Sequence, residues 1–197
     1  MLNVLVARHG QSEWNALGRW QGQADPPLSE LGRAQADGAA ELIGAFDAII
    51  AIDHDRAIST AHIIAERLGV GPVLVDEDLR ERHAGEFQGL TREQIEQRFP
   101  GHLEARRWPP GWEPDHLVRE RVIRALDRIR SEVGSGDVLV VAHGGIIYSL
   151  EAHHGVPHER IANLGGRWLH HHGDDWRLGD RIHLAPDDVT IENQDIL

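Results

Sequence analysis

Three places in this chain end an apolar run on side chains that can handle phosphate: Arg8-His9-Gly10, Asp53-His54-Asp55-Arg56 and His143-Gly144-Gly145. A neutral imidazole is a competent nucleophile toward phosphorus near pH 7, and both His9 and His143 directly follow a strand-like stretch. Arg8 and Arg56 offer planar, permanently charged forks that match phosphoryl oxygens two at a time. Helices opening after Gly10 and Gly144 would aim free N–H groups at the same spot. Phosphoryl transfer needs mainly positioned positive charge around three oxygens, with nucleophile and leaving group in line. The leaving alkoxide also needs a proton. Glu81, in the segment Leu79-Arg80-Glu81-Arg82-His83-Ala84-Gly85, is the candidate acid.

Composition removes competing chemistries. The 197 residues contain no Cys, so there is no thiolate nucleophile and no Cys-ligated zinc. All 20 basic residues are Arg, which excludes a Schiff-base lysine and a P-loop lysine. A net charge of -12 speaks against nucleic acid as a partner. No apolar run approaches the ~20 residues that a membrane-spanning helix needs. The start, MLNVLVARHG, has neither a basic region nor a small-residue cleavage site, so the expected location is the cytoplasm. The length suits one domain over 1–197.

Strands alternating with helices must position these groups. Residues 2–7 and 138–142 read as buried strands, and 46–52 as a third. Helices are expected over 29–45 with Ser29 as N-cap, over 56–68 closed by Gly69, over 91–99 with a Thr91/Gln94 capping box, and over 115–133. In the first of these, Leu31, Ala34, Ala39, Leu42 and Ile43 are the expected buried face; Leu117 is assigned to that of the last. A short strand fits 73–76, and 166–171 and 176–184 could pair antiparallel. The fold class is therefore α/β, a three-layer α/β/α sandwich with a largely parallel sheet. In such sheets the site lies at the carboxyl ends of the strands, where the three polar junctions fall.

The run Leu5 to Asn15 resembles the signature of the histidine phosphatase superfamily, in its phosphoglycerate-mutase-like branch. The resemblance continues through 18–25, 28–32 and Arg56 to Ala61. It returns at Leu79-Arg80-Glu81, Gly85, Gly89 and Val140 to Gly145. It implies that His9 becomes a phosphohistidine, that Arg8, Arg56 and His143 hold the phosphoryl group, and that Glu81 protonates the leaving group and then activates water. Asn15, Gln21, Gly144 and Arg82 are the implied substrate-binding residues. No metal and no organic cofactor is implied. Ala84 stands where mutases of the branch carry an aromatic residue, and Gly145 where they tend to carry Asn. Both favour a phosphomonoesterase over the alternative, a phosphoglycerate mutase working through phospho-His9. The expected substrate is a small phosphorylated metabolite.

Residues 100–114, with four prolines and two tryptophans, are the expected lid. Arg106 and Arg107 could hold a second anionic group there, and Trp108 or Trp112 could cover a substrate ring. His170-His171-His172 is read as a solvated strand end, since alternate residues of a strand share a face and only two could join one site. His153-His154 reads as helix capping. An edge strand or the stretch Leu164 to Leu169 could support a homodimer.

Overall fold

A computed structural model describes residues 1–173 and 175–185. Six strands form one sheet in the order β3-β2-β4-β1-β5-β6. They are β1 (Leu2–Arg8), β2 (Ala48–Ala51), β3 (Leu74–Val75), β4 (Gly136–Ala142), β5 (Gly165–His172) and β6 (Asp175–His183). The first four lie parallel, while β5 runs antiparallel to β1 and to β6. The parallel strands are covered on both faces, which is why Val138 to Ala142 can be apolar at every position and fully buried.

The helices are α1 (Glu13–Ala16), α2 (Glu30–Leu42), α3 (Asp55–Leu68), α4 (Arg92–Arg98), α5 (Asp115–Val133) and α6 (Gly144–His153). Helices α2 and α3 pack on one another, as do α5 and α6, and helices flank the sheet on both sides. No described helix is long and apolar enough to cross a membrane. The Ser29 cap, the Gly69 stop in the left-handed region and the Thr91/Gln94 capping box form as expected.

Three expectations are corrected. Helix α2 buries Gly32, Gln35, Ala36, Ala39 and Ala40, whereas Ala34 and Leu42 face solvent. Its first turn lies against backbone: a Cβ on Gly10 would come within 2.5 Å of the Gly32 carbonyl oxygen, and one on Gly32 would overlap the Gln11 carbonyl. Only the small-residue face of the helix can approach that closely. Leu117, in the first turn of α5, is exposed; the buried stripe begins at Val118. The stretch Leu164 to Leu169 belongs to the sheet interior rather than to a surface, because β5 is paired on both sides and Leu164 and Leu169 are fully buried.

Candidate active site

Strands β1 and β4 set the geometry. Arg8 is in register with Ala142, and the His9 amide donates to the Ala142 carbonyl at 3.0 Å. His9 and His143 therefore leave neighbouring strands at the same level. Their ring centroids are 5.0 Å apart, close to the spacing of adjacent strands, about 4.8 Å. Both residues are buried.

Hydrogen bonds fix the proton on each ring. The His9 Nδ1 lies 2.6 Å from the Gly10 carbonyl oxygen. A carbonyl only accepts, so Nδ1 carries the hydrogen and Nε2 keeps its lone pair. The Arg56 Nε–H faces that lone pair at 3.3 Å. A second Arg56 nitrogen, Nη2, lies 3.5 Å from the His143 Nδ1. A guanidinium only donates, so the His143 proton sits on Nε2, which is buried and has no partner among the described residues. One imidazole thus presents a lone pair to the site and its neighbour presents a donor. Burial foremost, and the Arg56 guanidinium next, hold both rings well below the ordinary histidine value of 6.5.

Arg56 is fully buried at the start of α3. It donates to the Ala24 carbonyl at 2.6 Å and the Gly22 carbonyl at 3.0 Å, and lies 3.7 Å from Asp25. Burial lowers its pKa to about 10, leaving it charged at neutral pH. Arg8 donates to the Ile161 carbonyl at 2.8 Å. Glu81 docks on the first turn of α6. Its Oε2 accepts from the Gly145 amide at 3.1 Å and its Oε1 from the Arg82 amide at 2.7 Å. A Cβ on residue 145 would overlap Oε1 and lie 2.9 Å from the carboxyl carbon, so only glycine leaves room for this arrangement. His143, Glu81 and Gly144 are gathered at one helix start, where backbone donors and the helix dipole favour negative charge.

All nine residues picked from the sequence (His9, Glu81, Arg8, Arg56, His143, Asn15, Gln21, Gly144 and Arg82) line one cavity of about 600 Å³. They are not equally free. Asn15 Oδ1 accepts from the Ser12 amide and the Asn163 side chain, each at 3.2 Å, which leaves its NH2 group as the available donor. Gln21 Oε1 accepts from the Ser12 hydroxyl at 2.7 Å. The Arg82 guanidinium is already engaged by the Glu113 carbonyl at 2.9 Å and Asp115 at 2.5 Å, and it lies over Trp112. Of residues 100–114, Leu103, Arg106, Trp108 and Trp112 line the cavity; Arg107 is not part of its wall.

Three contributors were assigned no role from the sequence, although His54 and Thr60 lie within stretches singled out there. Asn163 donates to the His9 carbonyl at 2.9 Å across 154 positions of chain. Thr60 accepts from the Gly10 amide at 3.1 Å. The buried His54 ring stands edge-on to His143, centroids 5.6 Å apart. Two of the other histidines read from the sequence do structural work, while His153 lines the cavity. His154 bonds the Leu150 and Trp176 carbonyls, and His170 bonds Asn3 and stacks on Trp168.

The sequence matches the histidine phosphatase superfamily (branch 1) over residues 4–179. It is 40% identical over 164 residues to the glucosyl-3-phosphoglycerate phosphatase of Mycobacterium tuberculosis, covering 76% of this chain and 73% of that protein. It is 33% identical over 157 residues to a metal-independent phosphoserine phosphatase of Arabidopsis thaliana, covering 75% and 66%. Among solved structures, the mycobacterial glucosyl-3-phosphoglycerate phosphatase complexed with VO3 superposes with a TM-score of 0.82 at 35% identity, covering 90% of this chain and 97% of that one.

Proposed function

The chain belongs to the histidine phosphatase superfamily and is a phosphomonoesterase, and on that premise we propose that it works through a phosphohistidine at His9 Nε2. The observation that carries this reading is the pairing of a His9 lone pair with a buried His143 Nε2–H that has no partner among the described residues, beside Arg56. The substrate phosphoryl group is held by Arg8, Arg56, His143 and the Asn15 amide, with Gln21 and the Gly144 N–H at its edge. The His9 Nε2 lone pair forms a bond to phosphorus as the ester P–O bond breaks. The departing alkoxide takes a proton from Glu81. Water then attacks phosphorus while Glu81 removes its proton, the P–N bond breaks, and the electron pair returns to Nε2. The positive charge that stabilises the equatorial oxygens comes from the chain itself. The alcohol leaves toward the cavity wall formed by residues 100–114.

The test measures phosphate release from a panel of phosphomonoesters in EDTA, together with rapid-quench recovery of acid-labile phosphate on the protein. Wild type releases phosphate and traps one label, whereas His9→Ala loses both, with turnover down at least about a thousandfold. Turnover that survives in His9→Ala, or a label on another residue, would overturn the assignment.

A further inference from the structure

Away from the phosphoryl end, the cavity carries an aromatic column that the hydrolytic chemistry does not use. Trp108 and Trp112 lie face to face, with centroids 4.3 Å apart and planes 6° apart. Behind them the Arg82 guanidinium is 5.1 Å from the Trp112 centroid. Trp112 is anchored: it pairs with Ala84 across an antiparallel bridge and meets Trp20 at 6.0 Å and Phe87 at 6.4 Å. Trp108 is the terminal layer. One face is covered by Trp112; the residue lines the cavity and is 43% exposed.

Two further observations say what could lie on that face. The cavity, about 600 Å³, falls in the range of roughly 300–1,000 Å³ that encloses a ligand of drug size, more than a phosphoryl group on a three-carbon alcohol fills. Its wall also holds Arg92 and Arg119, neither of which meets a carboxylate within 4.0 Å among the described residues, in a chain whose acids outnumber its arginines 32 to 20. An indole that lines the catalytic cavity, beside arginines with no carboxylate within 4.0 Å among the described residues, suits a ring that carries hydroxyl or other polar groups.

We propose that Trp108 is a stacking platform for a ring on the alcohol part of the substrate, which makes the preferred ester a ring-bearing one. This rests on the hydrolase reading at His9. The shared chemistry is a ring face against the electron-rich indole, whether the ring is glycosyl or aryl. The phosphoryl end is fixed at His9, so a ring cannot shift the 4.3 Å needed to stack on Trp112 once Trp108 is gone.

The test compares kcat/KM for two esters with the same reacting phosphate, glucosyl-3-phosphoglycerate and 3-phosphoglycerate, with 2-phenylethyl phosphate, which carries no sugar, as the aryl arm. Wild type prefers a ring-bearing ester. Trp108→Ala lowers kcat/KM for that ester about three- to tenfold, mostly through KM, and leaves 3-phosphoglycerate within about twofold. Trp108→Phe restores most of the loss. Whichever of the two ring-bearing esters responds assigns the ring. Equal losses on ring-bearing and acyclic esters, no loss on either, or a wild type that prefers the acyclic ester would each overturn the platform. His9→Ala run alongside separates the two readings: if it turns over substrate, the phosphohistidine assignment has failed, whatever Trp108 does.

Discussion

The two ends of the cavity are built in opposite ways. At the phosphoryl end, His9, His143 and Arg56 are buried, and each is held by groups that can bond in only one sense. At the alcohol end, Arg106 is solvent-exposed with a left-handed backbone (φ 49), and Trp108 is partly open. The first end is positioned by parallel strands in register. The second hangs on loop contacts, such as the Glu86 amide to the Pro110 carbonyl at 3.3 Å. The contrast separates reaction from selection. Changes at the sheet ends should affect every substrate alike, and changes in 100–114 should affect some and spare others.

Glu81 sits on the boundary, and Gly145 tests which side it belongs to. Gly145→Ala displaces the carboxylate that its amide now holds. Turnover of alkyl phosphates is expected to fall about a hundredfold, the typical contribution of a general acid. Turnover of p-nitrophenyl phosphate, whose phenolate leaves without a proton, should change less than about threefold. A common loss for both leaving groups would mean that Gly145 only supports the fold.

A smaller effect is expected at Arg106. Arg106→Ala should raise KM about three- to fivefold for 3-phosphoglycerate, whose alcohol part is anionic, and leave glycerol 3-phosphate unchanged. Arg106→Gly should raise KM equally yet gain about 0.5 kcal/mol of stability. Relief of the left-handed backbone, about 1–2 kcal/mol, exceeds the entropy glycine adds to the unfolded chain, about 0.5–1 kcal/mol. Arg107→Ala should change neither constant. Selectivity unaffected by Arg106 would erase the contrast between the two ends.

The smallest effect concerns pH. Both active-site imidazoles have folded values well below 6.5, so above that pH they are neutral whether the chain is folded or not. Below it the unfolded chain binds protons that the folded chain refuses, and stability declines as pH falls. Thermal melts of His143→Asn should therefore lose less between pH 7 and pH 5 than wild type loses. Inorganic phosphate should stabilise wild type more at pH 5.5 than at pH 7.5, because a bound anion favours the protonated rings. A mutant slope equal to that of the wild type would contradict the buried, neutral pair.

The placement of the sheet-end residues was legible because their types are few and their place follows from topology. Arg8-His9 and His143 follow the most strand-like runs, and parallel strands bury both faces, so the runs are continuous and easy to delimit. Backbone partners left no trace. Nothing in Gly22 or Ala24 announces that their carbonyls hold Arg56, and Asn163 arrives from a distant loop with no motif around it. The face of α2 was misjudged because its first turn meets the Gln11 backbone, where only glycine fits, and the residues buried beyond it, Gln35, Ala36, Ala39 and Ala40, are small or polar rather than large and apolar. In 100–114 the sequence offered Arg106 and Arg107 alike, and only Arg106 lines the cavity, at a left-handed backbone position that adjacency in sequence does not reveal.

The register of β1 against β4 bears on how such a protein can change over time. A strand cannot slide by a fraction of a residue, and a slip of one residue turns every side chain to the opposite face. The separation of His9 from His143 is therefore a discrete quantity, and no gradual series of substitutions leads away from it. The segment between α4 and α5 is under no such restriction. It can lengthen, shorten or be exchanged while the sheet stays in step. New activities on this frame should arrive by replacement of that insert, and grafting it is the direct route for an engineer who wants a different substrate with the same reaction.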